Sequence, residues 1–238
     1  MEIIAEIGQN HNGDISKAKE LIYAVKDSGA EVAKFQLFDM SFWESIYKKN
    51  KNMEKEWKEY HSKTCLGIED TNELIELCKK LNVEFLCSVF NEKFIDFLEQ
   101  KNVKRYKLAS NCINNLSIIK RLEETNKDLI ISLGMWNKEE FPEINSNGEI
   151  SFLYCVSKYP TELNDLNFSN IDFTKYDGFS DHTIGLNASM IAFARGAKII
   201  EKHLTLDKKM FGPDHEGSIT PDELKTLVDF KNDLKLSL

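Results

Sequence analysis

Gly178-Phe179-Ser180-Asp181-His182, a helix-compatible stretch from Leu186 to Ala197, and Ile199-Ile200-Glu201-Lys202-His203 read together as one strand–helix–strand unit. Each flanking run is short, begins apolar and closes on a histidine, as a buried strand ending at a polar rim would. Successive strands of an α/β chain lie parallel and side by side, with their ends on a common face. Side chains alternate along a strand, so Ser180 shares a face with His182, and Glu201 shares one with His203. Two imidazoles at neighbouring strand ends form a ready pair of metal ligands. Each could equally be a histidine satisfied by hydrogen bonds at a strand terminus; the repeated geometry favours the ligand reading.

Outward from this unit the same rhythm runs through the chain. Strand-like runs occur at Ile3–Gly8, Val32–Leu37, Glu84–Val89, Arg105–Ser110, Leu129–Gly134, Ser151–Ser157, Gly178–His182 and Ile199–Thr205. Between several of them apolar residues recur at helical spacing, as in Ala18, Leu21, Ile22 and Val25, or Phe94, Phe97 and Leu98. Asp70 with Glu73 and Thr220 with Glu223 have capping-box spacing, and Pro221 opens a final helix to about Leu236. Eight strands each followed by a connection predict an α/β fold, a (β/α)8 TIM barrel, as a single domain over residues 1–238. Two connections depart from the rhythm. Residues 38–69 form a long aromatic- and lysine-rich insertion after strand 2, a candidate lid or oligomer contact, and Trp136–Gly148 has room only for a stunted helix.

At 238 residues, 42% hydrophobic and 29% charged, the composition is that of a globular protein with a sizeable core. A net charge of −8 argues against a nucleic-acid surface or a polybasic membrane patch, so an anionic substrate needs a local basic pocket. No apolar run reaches transmembrane length, and the first residues lack the pattern of a signal peptide. The five cysteines, without CxxC spacing, are expected to be reduced packing thiols, which points to the cytoplasm.

The active site of such a barrel lies at the C-terminal ends of its strands. There the sequence places Glu6 on strand 1, Lys34 and Gln36 on strand 2, Ser88 on strand 3, and Lys107 and Ser110 on strand 4. Ser132 follows on strand 5, Ser157 with Tyr159 on strand 6, Ser180 on strand 7, and Asp214 in the loop after strand 8. Two lysines and several hydroxyls converging on one mouth suit a phosphate or carboxylate, since each donates to anionic oxygens. A lysine within a buried strand is costly unless paired, so Lys34 and Lys107 are expected to be functional, with Glu6 as a partner, a reacting group, or both. The carboxylate and the two histidines suggest a divalent metal beside the anion. His11 and His215, in loops, are weaker metal candidates, and His61 in the charged insertion is expected to face solvent.

These residues also carry a family resemblance. Ile4-Ala5-Glu6-Ile7-Gly8-Gln9-Asn10-His11-Asn12-Gly13, Ala33-Lys34-Phe35-Gln36, Tyr106-Lys107-Leu108-Ala109-Ser110, Ser132-Leu133-Gly134-Met135, Tyr159-Pro160-Thr161, Ser180-Asp181-His182-Thr183, Glu201-Lys202-His203 and Gly212-Pro213-Asp214-His215 resemble the sialic acid (N-acetylneuraminate) synthase family, in family order over essentially the whole chain. The resemblance implies a (β/α)8 barrel that condenses phosphoenolpyruvate with an N-acyl amino sugar, such as N-acetylmannosamine, to a nine-carbon 2-keto acid with release of phosphate. It implies that His182 and His203 hold Mn²⁺, with Mg²⁺ or Co²⁺ as alternatives, and that Lys34, Ser88, Lys107, Ser110, Ser132, Ser157 and Ser180 surround phosphoenolpyruvate. Glu6, Lys34, Lys107 and His182 would carry the catalysis, while Gln36, Tyr159 and Asp214 face the sugar. A homodimer is implied as well, with phosphoenolpyruvate and an amino sugar as partners and neither nucleic acid nor membrane.

The chain departs from the family pattern at Cys112, where an acidic residue is usual, and at Val89, where a proline is usual. It is also expected to end after the barrel, without the family's antifreeze-like domain, which a separate protein would then supply. Two other readings stand beside the synthase: a Schiff-base aldolase using Lys34, Lys107 or Lys202, with Lys202 disfavoured because it faces away from Glu201 and His203, and a catalytically weak barrel dependent on a separate subunit.

Overall fold

The computed structural model describes residues 1–49 and 55–238. Eight parallel strands close into a barrel in chain order: β1 Glu2–Gly8, β2 Val32–Leu37, β3 Glu84–Val89, β4 Arg105–Leu108, β5 Asp128–Ser132, β6 Ile150–Cys155, β7 Gly178–Asp181 and β8 Ile199–His203. The described helices are α1 Ile15–Ser28, α2 Met40–Lys49, α3 Lys55–Thr64, α4 Ile68–Leu81, α5 Glu92–Gln100, α6 Leu116–Glu123, α7 Asn187–Ala194 and α8 Pro221–Ser237. The expected barrel is present.

Local chemistry explains where the helices begin and stop. Asp14 caps α1 by accepting from the amides of Ser16 and Lys17, and the helix ends at Gly29, whose φ of 81° lies in the left-handed region. Thr220 and Glu223 form the expected reciprocal capping box on α8, with Pro221 in the first turn. Asp70 is not a cap. α4 starts earlier, at Ile68 after Gly67, and Asp70 lies in the first turn, where its charge suits the helix N-terminus.

The alternation of side chains creates two cores. Outward-facing strand residues such as Ile3, Ala5, Phe35 and Ile200 pack on the helices. Inside the barrel, Ile4, Val32, Leu86, Ile130, Leu153 and Ile199 form a separate apolar floor. Two residues further along the same strands stand Glu6, Lys34, Ser88, Ser132, Cys155 and Glu201, a step that keeps the inward face but moves to the C-terminal end. The register aligns Glu6 with Lys34 and with His203, Ser88 with Lys107, and Ser180 with Glu201. One step along each strand thus turns a hydrophobic plug into a polar layer.

Two further expectations need correction. Trp136–Gly148 forms no helix at all; Phe141 instead packs on Phe152 and Tyr176, at centroid distances of 4.8 and 4.9 Å, and covers the strands there. Of the insertion 38–69, residues 50–54 lie outside the described residues, and the rest contributes α2 and α3. His61 does not face solvent. It is 4% exposed, stacks on Trp43 at 3.5 Å between centroids, and its Nδ1 lies 2.8 Å from the Tyr47 hydroxyl, because the aromatic residues of the two helices close over it. The insertion is tied to the barrel rim through Gln9, whose Oε1 accepts from the Thr64 hydroxyl at 2.9 Å and whose carbonyl accepts from the Tyr60 hydroxyl at 3.2 Å. Among the described residues no helix is long and apolar enough to cross a membrane, and all five cysteines are free.

Candidate active site

The polar layer is a buried ionic network. Lys34 Nζ lies 2.6 Å from Glu6 Oε2 and 3.5 Å from Glu201 Oε2. Lys107 Nζ lies 3.8 Å from Glu201 Oε1 and donates to Ser132 Oγ at 2.6 Å. Gln36 Nε2 donates to Glu6 Oε1 at 2.6 Å, and Ser180 Oγ to Glu201 Oε1 at 2.7 Å. All four charged side chains are buried, so each must be compensated locally. Two cations meet two carboxylates, and hydroxyls take up much of the remaining bonding capacity. The Ser88 hydroxyl is the exception, buried without a hydrogen-bond partner.

Proton affinities follow from this arrangement. Burial would lower that of Lys34, but the Glu201 and Glu6 carboxylates outweigh it and raise the ammonium's pKa. For Lys107 burial prevails, helped by the charge of Lys34 and only partly offset by Glu201, and its pKa falls. Burial would raise the pKa of Glu201, yet Lys107 and Lys34 together hold it well below the usual carboxylate range.

The histidine pair sits on the rim above this layer, with ring centroids 5.8 Å apart. His182 Nδ1 lies 3.0 Å from the Val156 carbonyl, which can only accept, so the neutral ring carries its proton there and presents the lone pair of Nε2. His203 Nδ1 is buried without a hydrogen-bond partner, 3.9 Å from Asp214 Oδ2. Both rings border a cleft of about 60 Å³ shared with Asp214 and Tyr159. Among the described residues no group of three or more histidine, cysteine or carboxylate side chains is placed to hold an ion. Two imidazoles by themselves could supply only part of a metal ion's coordination shell, which is not a closed structural cage.

An inner chamber of about 50 Å³ brings together every expected site residue except Ser157 and Asp214. Those two line an outer cavity of about 430 Å³ that opens above it, together with Gln36, Tyr159 and His203. Ser110 Oγ accepts from the Gly134 amide at 3.1 Å. A Cβ on Gly134 would stand 2.4 Å from Ser157 Oγ and 3.0 Å from Ser110 Oγ, so only glycine lets these hydroxyls converge. A larger cavity, about 640 Å³, lies at the opposite end of the barrel around Glu31, Glu84 and Phe85, and none of the expected site residues lines it.

Several candidates are set aside by position. Lys202 is fully buried on the outer face, 3.1 Å from Asp181 Oδ2 and donating to the Thr183 carbonyl, so it cannot reach a substrate in the chamber. His11 is buried with Nδ1 accepting from the Gly13 amide, and burial pushes its pKa down to about 4. His215 is held between Thr205 Oγ1 at 2.7 Å and Asn12 Oδ1 at 3.0 Å, a loop clamp. Cys112 and Val89 are both buried in the outer core. Three features were missed. Glu201 bridges the two lysines, Cys155 lies 3.5 Å from Ser110 Oγ and 3.8 Å from His182 Nδ1, and Phe42, Trp43, Phe90 and Met135 wall the outer cavity. The first two carry a signal in the sequence, each standing two residues past an apolar floor residue.

Residues 21–238 match the NeuB family. The chain belongs to that family. Among NeuB relatives, the N,N'-diacetyllegionaminic acid synthase of Campylobacter jejuni is 39% identical over 94% of this chain and 73% of its own length. The N-acetylneuraminate-9-phosphate synthase of Drosophila melanogaster is 33% identical over 99% of this chain and 68% of its own. The crystal structure of the N-acetylneuraminic acid (sialic acid) synthetase of Leptospira borgpetersenii, in complex with citrate, aligns with a TM-score of 0.85 at 29% identity, covering 97% of this chain and 82% of that one. These three similar proteins are named as synthases of legionaminic acid, N-acetylneuraminate 9-phosphate and sialic acid.

Proposed function

We propose that this NeuB-family barrel condenses phosphoenolpyruvate with an N-acyl amino sugar to a nine-carbon 2-keto acid, releasing phosphate. The observation that carries the reading is the juxtaposition, in one chamber, of two buried lysines and an unpartnered serine hydroxyl with a rim pair of histidines. Lys34 and Lys107 meet the carboxylate and phosphate charges of phosphoenolpyruvate, and Ser88, Ser110, Ser132, Ser157 and Ser180 donate to its oxygens. His182 and His203 would hold a divalent ion, Mn²⁺ or alternatively Mg²⁺ or Co²⁺, which when bound acts as a Lewis acid on the sugar's carbonyl oxygen. Gln36, Tyr159 and Asp214 orient the sugar so that its carbonyl carbon faces the C3 carbon of phosphoenolpyruvate. C3 forms the new bond to the carbonyl carbon, whose oxygen takes up a proton; water adds to C2 with loss of one proton, and the C2–O bond to phosphate then breaks, phosphate leaving with the bonding pair as the remaining hydroxyl proton is lost and the C2 ketone forms. Glu6, held by Gln36 and Lys34, is placed to take the proton of that water.

A phosphate-release assay with phosphoenolpyruvate, Mn²⁺ and a panel of amino sugars tests this. Because the Campylobacter relative extends beyond the matched region, the assay is run with and without a separately supplied antifreeze-like domain. Release that requires both substrates supports the synthase; none in either arm sinks it. A second reading draws on the lowered pKa of Lys107, the property a Schiff-base lysine needs. Borohydride trapping of pyruvate on Lys107 supports the aldolase, and the absence of an adduct excludes it.

A further inference from the structure

β7 and β8 stay in register as far as Asp181 opposite Lys202, and His182 and His203 are the next residues along each chain. Past that point the two chains part. The His182 carbonyl accepts from the Thr161 amide at 2.9 Å, in the loop after β6, while the Leu204 amide donates to the Glu6 carbonyl at 2.8 Å, on β1. A side-chain contact crosses the divergence. Lys202 Nζ lies 3.1 Å from Asp181 Oδ2 and donates to the Thr183 carbonyl, so the residue before His203 holds the residues on both sides of His182. Asp181 is itself fixed. Its Oδ1 accepts from the Thr183 amide at 2.8 Å and hydroxyl at 2.7 Å, and its Oδ2 accepts from the Ser189 hydroxyl of α7 at 2.5 Å.

These charges stand where the fold calls for apolar groups. Phe179 and Ile200, two residues earlier on the same outward face, belong to the core packed on the helices, and neither the Asp181 nor the Lys202 side chain is exposed. A buried ion pair often adds no stability over apolar residues of similar volume, because desolvation offsets its attraction. What it adds is direction. Apolar burial is non-directional, whereas charge-assisted hydrogen bonds fix distance and angle. We propose that Asp181 and Lys202 are positioning residues that set the spacing of His182 and His203, whose ring centroids stand 5.8 Å apart. The pair's use, though not its geometry, rests on the reading of the two histidines as metal ligands.

The test removes both charges together, in Asp181→Asn/Lys202→Met. The new amide keeps an oxygen for the Thr183 donors and offers its NH2 to the Ser189 hydroxyl, so no charge is left unpaired. The urea midpoint is expected to stay near the parent's. In metal-free crystals of parent and variant, the separation of the two rings is expected to change by about 1 Å or more, or the rings to take up more than one conformer. Calorimetric Mn²⁺ affinity should fall about 10- to 100-fold, as when groups that orient metal ligands are lost. Rings held at the parent separation, or an unchanged Mn²⁺ affinity, overturn the proposal. Should the double variant not fold, Asp181→Asn/Lys202→Leu, whose shorter side chain cannot overpack, is measured by the same criteria. Failure of both to fold overturns the proposal, because the pair is then a requirement of the fold. A parent chain that binds no Mn²⁺ removes the metal reading, and the metal-free crystals alone then decide: displaced rings uphold the positioning role and unmoved rings overturn it.

Discussion

Lys34 Nζ stands 2.6 Å from Glu6 Oε2 inside the barrel, and neither side chain is more than 3% exposed. The pair joins β2 to β1 at paired register positions. Its charges have no solvent to fall back on, so each depends on the other.

Removing one partner should therefore destabilise the fold as well as silence the site. Lys34→Met leaves Glu6 without its cation and Glu201 with Lys107 alone, and is expected to cost about 3–5 kcal/mol, read by urea unfolding, with loss of phosphate release. Adding Glu6→Leu should recover much of the stability and none of the activity. A Lys34→Met protein of unchanged stability would show that the pair is not the buried charge couple described.

Glu201 should leave a mark on the acid limb of stability. Its pKa in the folded chain lies below its ordinary 4.5, so the folded state binds fewer protons than the unfolded one. Stability from this group is then complete above about pH 4.5 and is lost as the pH falls below it, by about 1.4 kcal/mol for each unit of depression. Urea midpoints measured between pH 3 and 6 should fall steeply in the parent chain and less so in Glu201→Gln; parallel curves would contradict the assignment.

For the rim pair, His182→Ala and His203→Ala are each expected to abolish calorimetric Mn²⁺ binding and phosphate release while leaving the unfolding midpoint nearly unchanged. Full turnover after exhaustive chelation would remove the metal from the mechanism.

Gly134→Ala probes the convergence of the serines. The added methyl would sit 2.4 Å from Ser157 Oγ and 2.8 Å from Cys155 Sγ, so one or both must move. We expect the KM for phosphoenolpyruvate to rise about tenfold, equivalent to about 1.4 kcal/mol of lost binding, with a smaller change in the sugar's KM. Equal changes in both would point to a general distortion.

Much of this was written in the chain's alternation. A period of two determined that Ile4 and Glu6, Val32 and Lys34, Ile199 and Glu201 would face one way, and the cadence of eight strands determined which ends would gather at one mouth. Pairing across the barrel was not legible. Glu201 on β8 meets Lys34 on β2 and Lys107 on β4, none of them on adjacent strands, and only ring closure brings their side chains within 4 Å. The same holds for His61, whose place in a charged, lysine-rich insertion suggested that it would face solvent. Alternation is a property of one strand and its sign survives in sequence. Contact between distant strands depends on the stagger and curvature of the closed sheet, and that was decided only when the barrel closed.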